Sequence, residues 1–215
     1  MFVKKYMTTD VVTTTEDVKI TDAISMFEEN KFHQMPVVDK NGKYIGLITE
    51  GIISKNSPSN ATSLSIYEIN YLLEKVTVGQ LMDKDAATVS CDIAIEKAAT
   101  LLLEQDRSVM TIVDDENHIQ GIITDKDIFK ALIDLTGYND PGARFYVKVD
   151  EDRVGVLEEV TDVFADNDIN ISKIYVDGPT TGAPDGVIIQ ITSPDPNKAL
   201  GLLETAGFEV SVVSD

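Results

Sequence analysis

Two stretches of this chain repeat one another without a gap. Residues 7–55 read MTTDVVTTTEDVKITDAISMFEENKFHQMPVVDKNGKYIGLITEGIISK, and residues 82–130 read MDKDAATVSCDIAIEKAATLLLEQDRSVMTIVDDENHIQGIITDKDIFK. At a constant offset of 75, about 15 of the 49 positions are identical, among them Gly46 with Gly121 and Thr49 with Thr124. An uninterrupted match of this kind is typical of a duplicated supersecondary unit. The repeat therefore predicts two copies of one fold in the first two thirds of the chain.

Each copy predicts a mixed α/β unit with the element order βαββα. In the first copy an extended segment (11–13) precedes a helix capped by Thr21 and Asp22, and two strands (35–38 and 44–48) flank an Asn41-Gly42 turn. The second copy predicts a helix (95–105), two strands (109–113 and 119–123) and a final helix (125–135) that stops at Gly137. Because so few elements cannot bury both of their faces, the two copies are expected to pack together.

Beyond the repeats, the pattern predicts a linker and a third region. Residues 56–63 have the composition of a loop, and residues 64–76 have helical spacing, so we expect a connecting helix there. A second boundary falls at 138–142, and the remainder predicts βαββαβ, one antiparallel sheet backed by two helices. The predicted division is a first repeat at 1–58, a linker at 59–78, a second repeat at 79–137 and a C-terminal domain at 141–215.

Composition excludes several classes of protein. The chain has 18 basic and 37 acidic residues, a net charge of -19, which disfavours binding to nucleic acid or an anionic membrane. Its single cysteine, Cys91, cannot form an internal disulfide, and the sequence shows neither a secretory leader nor an apolar stretch of membrane-spanning length. We therefore expect a cytoplasmic protein.

The segment Gly121-Ile122-Ile123-Thr124-Asp125-Lys126-Asp127 indicates a ligand site. Thr124 falls where a strand gives way to a helix, so its hydroxyl and the first helical N–H groups are expected to face phosphate oxygens. Lys126 supplies a local cation, and Asp127 offers two acceptor oxygens suited to a ribose diol. The alternative is that Thr124 is only a helix cap and that Asp125 and Asp127 complement the helix dipole.

The first repeat departs from this pattern at two positions. Thr49 keeps the capping hydroxyl, but Gly51 replaces the lysine and Ile52 replaces the carboxylate. Because isoleucine cannot accept a hydrogen bond, we expect one competent site around Asp127 and a weaker one around Ile52.

These motifs resemble two known families. The duplicated βαββα unit with Gly-hydrophobic-hydrophobic-Thr-x-x-Asp resembles a tandem CBS pair, or Bateman module. The segment 152–157, Asp-Arg-Val-Gly-Val-Leu, lies at the first strand-helix junction of the C-terminal region, which resembles a ferredoxin-like ACT domain. The order CBS-CBS-ACT resembles that of the acetoin-utilisation AcuB-type proteins. The implied fold class is α/β (α+β).

The CBS resemblance implies further site residues, because each cleft of the family takes residues from both copies. Beside Thr124, Lys126 and Asp127 it places three residues: Phe32, His33 and Gln34. Beside Thr49, in the weaker site, it places Arg107 and Ser108.

The ACT resemblance implies a second kind of site, for an amino acid at a domain interface. Its candidate residues are Asp152, Gly155, Val156, Leu157 and Asn170. Val154 stands where a proline is usual and Asp168 where a glycine is usual, and the alternative is that the domain only dimerises.

The expected function is that of a non-catalytic regulatory sensor. Its ligand would be an adenine nucleotide (AMP, ADP, ATP, an adenosyl compound or cyclic di-AMP), with no other cofactor and no metal. No P-loop, dinucleotide-binding glycine motif or His-Glu-x-x-His motif occurs in the sequence. A homodimer is expected, and a regulated partner protein is possible. The alternative is a regulatory subunit or an enzyme of acetoin or amino-acid metabolism.

Overall fold

The computed structural model describes residues 1–57, 68, 71, 73–149, 153–178, 186–193 and 195–213. The chain divides into two compact units, Met1–Phe129 and Lys130–Asp215.

The first unit contains the two repeats. Its first repeat has the elements β1 (Thr14–Thr15), α1 (Ile20–Asn30), β2 (Gln34–Val38), β3 (Tyr44–Thr49) and α2 (Glu50–Asn56). The second repeat has α3 (Val78–Leu81), β4 (Thr88–Val89), α4 (Ile95–Glu104), β5 (Val109–Val113), β6 (Ile119–Thr124) and α5 (Asp125–Thr136), which runs on into the second unit.

The two sheets of this unit have the same topology. In each, a two-residue strand pairs in parallel with the central strand, which pairs antiparallel with the last strand. The register shifts at equivalent places, between Val37 and Val38 in one sheet and between Ile112 and Val113 in the other. The predicted mixed α/β fold is confirmed.

Two local predictions in the first repeat were wrong. The strand is Thr14–Thr15, not residues 11–13, because only these residues pair with the central strand. The N-cap of α1 is Lys19, which makes no side-chain cap hydrogen bond, and Thr21 and Asp22 lie within the first turn. The helix start is set by tertiary packing, since Ile20 is fully buried and its N–H donates to the Val76 carbonyl at 3.0 Å. The predicted connecting helix lies largely outside the described residues.

Two antiparallel backbone bridges, called crossings below, join the repeats. Thr8, which precedes the first repeat's strands, exchanges both backbone hydrogen bonds with Ile122 of β6 at 2.9 Å. Asp83, at the equivalent position, exchanges both with Leu47 of β3, at 2.8 and 3.0 Å. Each repeat therefore adds a short piece of backbone to the last strand of the other.

The motif glycines make these crossings possible. A Cβ on Gly121 would lie 2.6 Å from the Thr8 carbonyl oxygen, and one on Gly46 would lie 2.8 Å from that of Asp83. No side chain fits at these distances without a backbone shift.

The apolar core also spans the repeats. One cluster contains buried residues of α1, β2 and β3, including Ile20, Phe27 and Ile48, together with Val78 and Met82. A second cluster contains Leu47 of the first repeat with Ala86 and Val109 of the second.

The second unit forms a four-stranded antiparallel sheet with two helices. Its elements are β7 (Ala143–Lys148), α6 (Val156–Ala165), β8 (Ile171–Asp177), β9 (Gly186–Ile191), α7 (Pro196–Thr205) and β10 (Val210–Val212). The strand order is β10-β7-β9-β8, and Phe145, Phe164 and Ile189 lie in the core. The predicted βαββαβ order is confirmed. Asp168 adopts a φ of 56°, a left-handed conformation that aspartate tolerates.

The crossings give a stability prediction. Gly121→Ala should lower the free energy of unfolding by about 1–3 kcal/mol, because its Cβ meets backbone rather than a flexible side chain. Gly51→Ala is the control. Gly51 lies in α2, and an added Cβ would be 3.7 Å from Thr49 Oγ1, an ordinary van der Waals contact. Because alanine favours a helix more than glycine does, this variant should raise the free energy of unfolding by about 0.5–1 kcal/mol. Urea unfolding measures both values. Equal stability of the two variants would contradict the crossing.

The hairpin turns give a pH prediction. Asp39 Oδ1 accepts from the N–H groups of Asn41 and Lys43, and Asp114 Oδ1 accepts from those of Glu116 and His118. These backbone donors hold the pKa of both carboxyls below the usual value of about 4.

A carboxyl whose pKa is lower in the folded state stabilises the fold above its unfolded pKa, and that stabilisation is lost as the pH falls through the folded pKa. The free energy of unfolding should therefore decrease as the pH drops below about 4. Asp39→Asn with Asp114→Asn should flatten this decline when unfolding is measured between pH 2.5 and 6. An unchanged slope would show that other carboxyls determine the acid sensitivity.

Candidate functional site

An open cleft in the first unit is lined by residues of both repeats. Its volume is about 480 Å³. Five of the six residues predicted for the main site line it, namely Phe32, His33, Gln34, Thr124 and Lys126. The sequence separates these two groups by about 90 residues, and the reciprocal packing of the repeats brings them to one cleft.

The wall from the first repeat is the connection between α1 and β2. Helix α1 ends at Asn30, and its C-cap residue Lys31 turns the chain sharply with a left-handed φ of 57°. The Phe32 ring then packs edge-on against Phe27, with ring centres 5.7 Å apart. His33 is fixed to the next helix, since its carbonyl accepts from the Glu50 N–H at 3.0 Å and its Nδ1 lies 2.8 Å from Glu50 Oε2.

The wall from the second repeat is the start of α5, where Thr124 and Asp127 cap the helix reciprocally. The Thr124 N–H and hydroxyl both donate to Asp127 Oδ2 at 2.8 Å, and the Asp127 N–H donates back to Thr124 Oγ1 at 3.4 Å. Asp127 is half-buried and is not among the residues that line the cleft. Within the described part of the chain, no hydrogen-bond partner is seen for its other oxygen, Oδ1.

The expectation of unpaired N–H groups at this helix start was wrong. The Asp125 N–H donates to the Ser108 carbonyl at 3.1 Å, and the Lys126 N–H donates to Asp125 Oδ1 at 2.7 Å. In this structure Thr124 is therefore a helix cap, which was the alternative interpretation of the motif. Lys126 remains as an exposed cation on the cleft wall, and Lys31, which sequence reasoning missed, is another.

The equivalent region around Thr49 differs in its chemistry. Thr49 Oγ1 accepts from the Ile52 N–H at 3.1 Å, so the cap forms without a carboxylate. The Arg107 guanidinium is paired with Asp83, with Nη1 and Oδ2 2.6 Å apart. Ser108, predicted for this weaker site, lines the cleft of Thr124 instead.

A buried tyrosine lies at the start of β3, the end of the strand opposite Thr49. The Tyr44 hydroxyl donates to the Ala86 carbonyl at 3.3 Å, and burial raises the pKa of this phenol. Both Tyr44 and Arg107 are therefore engaged by protein partners.

The candidate residues of the second unit do not form one site within a chain. Gly155, with a φ of 95°, Val156 and Leu157 line a cavity of about 200 Å³ at the loop before α6. Asn170 immediately precedes β8, at the other end of the sheet: Ile171 pairs with Ile191, which pairs with Ala143 at the start of β7. The sheet therefore separates these residues within one chain, and the amino-acid site at a domain interface that the resemblance implies stays a prediction. Asp152 lies outside the described residues.

Two kinds of feature are absent from the described parts of the chain. No group of three or more His, Cys, Asp and Glu side chains is placed to hold a metal ion. In the same residues no helix has both the length and the apolar character needed to cross a membrane.

Comparison with known families identifies both kinds of domain. The CBS domain family matches residues 3–57 and 78–134, which together make up more than half of the chain, and the ACT domain family matches residues 145–205. The chain therefore belongs to the CBS-domain family and carries a C-terminal ACT domain.

Individual relatives extend this comparison. An uncharacterized protein of Methanocaldococcus jannaschii, MJ1426, is 30% identical, and the match covers 62% of this chain and 92% of that protein. A putative acetoin utilization protein (AcuB) from Vibrio cholerae has a similar structure, with a TM-score of 0.53, 20% identity and coverage of 65% of this chain and 96% of that one.

Another similar structure contains bound ligands. The CBS domain pair of protein MJ0100, in complex with 5'-methylthioadenosine and S-adenosyl-L-methionine, has a TM-score of 0.51, 23% identity and coverage of 61% of this chain and 95% of that one. At these identities the likeness establishes the fold.

Some relatives are enzymes. Homoserine O-acetyltransferase of Methanohalobium evestigatum is 26% identical over 61% of this chain, but the match spans only 24% of that enzyme. The chain thus corresponds to a small part of such relatives.

The reciprocal cap gives a prediction for a double-mutant cycle. Thr124→Val and Asp127→Ala should each lower the free energy of unfolding by about 1 kcal/mol. The double variant should lose less than the sum of the two single losses, by about 0.5 kcal/mol or more, because both substitutions remove the same interaction. The matched pair Thr49→Val and Ile52→Ala should be additive to within about 0.5 kcal/mol, because no hydrogen bond joins the two side chains: Thr49 Oγ1 accepts from the backbone N–H of Ile52, which Ile52→Ala keeps. Chemical unfolding measures both cycles. Additivity at Thr124 and Asp127 would show that the cap is not formed in solution.

Proposed function

We propose that this protein is a non-catalytic regulatory sensor that binds an adenine nucleotide in the cleft of Thr124. The observation that carries the proposal is the assembly of Phe32, His33 and Gln34 from one repeat with Thr124 and Lys126 from the other around one opening. A site built from both copies suits a ligand that alters how they pack.

The size and charge of the cleft support this ligand class. Its volume of about 480 Å³ falls within the range of roughly 300–1,000 Å³ that is usual for small-molecule sites. Lys31 and Lys126 offer ammonium groups to a phosphate, and Asp10 and Asp125 line the same cleft, so its lining is balanced in charge on a chain of net charge -19. Phe32 and the apolar residues Val11 and Val12 offer a surface for a base.

Asp127 would hold the ribose through Oδ1 while Oδ2 keeps its bonds to Thr124. A charge-assisted hydrogen bond of this kind is worth about 1.5–3 kcal/mol, or roughly ten- to hundredfold in affinity. Ile52 cannot make it, and Arg107 is already paired with Asp83. The Thr49 region is therefore the weaker of the two sites.

The adenosyl ligands in the structure of MJ0100 support the same class of ligand. AMP, ADP, ATP, an adenosyl compound and cyclic di-AMP all share the adenosine group that the cleft would hold. The nucleotide would be a signal, not a cofactor, and the protein would act in the cytoplasm.

Assembly forms part of this proposal. Leu103 of α4 and Phe129 of α5 are apolar side chains that are 83% and 60% exposed. A second copy of the chain would cover them, giving a homodimer, and the ACT domain would add a dimerising or amino-acid-sensing surface. The alternative is a regulatory subunit or an enzyme of acetoin or amino-acid metabolism. Its support is the similarity to part of enzymes such as homoserine O-acetyltransferase.

Calorimetric titration with AMP, ATP, S-adenosylmethionine and cyclic di-AMP tests the proposal. Asp127→Ala should weaken binding of the best ligand about ten- to hundredfold. Ile52→Ala controls for the equivalent position and should bind within a few-fold of wild type. Thr124→Val removes the cap hydroxyl but keeps the carboxylate, so it should weaken binding less than Asp127→Ala does. Equal affinity of Asp127→Ala and wild type, or no binding of any of the four ligands, would reject the proposal.

A further inference from the structure

The second unit contains a cavity that none of the candidate sites above includes. Its volume is about 630 Å³, and it lies at the start of β7, the end of the sheet opposite the loop of Gly155. Its lining includes Tyr138, Arg144, Gln190, Pro196, Val212 and Val213.

Arg144 is held rigidly in this cavity by groups that carry no net charge. Its Nε donates to Gln190 Oε1 at 3.2 Å, and its Nη2 donates to the Thr136 carbonyl at 2.8 Å. The guanidinium carbon lies 5.5 Å from the centre of the Tyr138 ring. Gln190 is itself only 3% exposed, and its Nε2 donates to the Asp140 carbonyl at 3.3 Å.

The arginine has no carboxylate partner within the described residues. This is unusual in a chain with 37 acidic residues, since the guanidinium fork matches a carboxylate closely. The acidic residue among the cavity's described lining is Asp140, whose Oδ2 lies 3.9 Å from Lys173 Nζ. Of the guanidinium nitrogens, Nη1 makes no hydrogen bond within the described part of the chain, so it can bind an anion without breaking an existing contact.

The other walls define the rest of the ligand. Val212 and Val213 are 39% and 43% exposed, and Pro141, Ala143 and Pro196 add further apolar surface. An inorganic anion would leave this surface in contact with water. A carboxylate attached to a short branched hydrocarbon would cover it while its oxygens meet Arg144.

We propose that this cavity binds a small apolar carboxylate through Arg144, with the hydrocarbon part against Val212 and Val213. The site does not depend on the nucleotide cleft or on the loop of Gly155. It gives the second unit a ligand of its own at the opposite end of the sheet.

Calorimetric titration of the full chain with 4-methylpentanoate tests this site, with 4-methylpentanamide as the neutral isostere. The acid should bind and the amide should bind at least tenfold more weakly, since only the acid pairs with the guanidinium. Inorganic phosphate is a third probe, and binding of phosphate but not of the acid would overturn the proposal.

Variants locate the binding. Val213→Glu places a carboxylate at the exposed edge of the cavity and should weaken binding of the acid at least tenfold. It replaces no hydrogen-bonding group of the Arg144 side chain, and the bond from the Val213 N–H to the Arg144 carbonyl (2.9 Å) is made by backbone atoms that the substitution keeps. Val176→Glu, at a 58% exposed position of β8, is the matched control and should leave binding unchanged. Arg144→Lys should also weaken binding, with the fold checked by circular dichroism. Equal binding of acid and amide, or no effect of Val213→Glu, would refute the site.

Discussion

The structure of the first unit depends on two close backbone crossings, each at a glycine of the other repeat. The backbone of Thr8 pairs with β6 beside Gly121, and the backbone of Asp83 pairs with β3 beside Gly46. Because an added Cβ would meet a carbonyl oxygen at either place, glycine there is a packing requirement. The crossings explain why the repeats fold together and why buried residues of each belong to the core of the other.

The candidate cleft follows directly from this arrangement. The chain that crosses at Thr8 continues through Val11 and Val12 along the opening, and so brings the first repeat against Thr124. Duplication would give two equivalent clefts if the copies were identical. They are not, since the pair Thr124 and Asp127 corresponds to Thr49 and Ile52, and only the first pair supplies a carboxylate to its cap.

Sequence predicted the architecture well, because the repeat and the alternation of apolar residues both reflect burial. Strand Val109–Val113 and the turn at Asn41-Gly42 are examples in which local pattern and tertiary packing agree. The cap of α1 could not be predicted, since a backbone bond to Val76 and the burial of Ile20 fix the helix start at Lys19.

The candidate site was predicted only in part. Thr124 and Lys126 follow from the motif, and the family resemblance supplied Phe32, His33 and Gln34. Lys31 was missed because its place on the cleft depends on a left-handed turn that a lysine does not indicate. The end of the sheet at which Asn170 lies could not be predicted, because motif matching carries no information on it. Arg144 carried no sequence signal, since its role arises from contacts with Gln190 and Thr136.

The most direct measurement of the central claim is a crystal structure of the protein grown with its tightest-binding adenine nucleotide. The account expects adenosine in the cleft between Phe32 and Thr124, with ribose hydroxyls on Asp127 Oδ1, and lower or no occupancy beside Thr49. Equal occupancy at both places, or a nucleotide bound only beside Thr49, would contradict it.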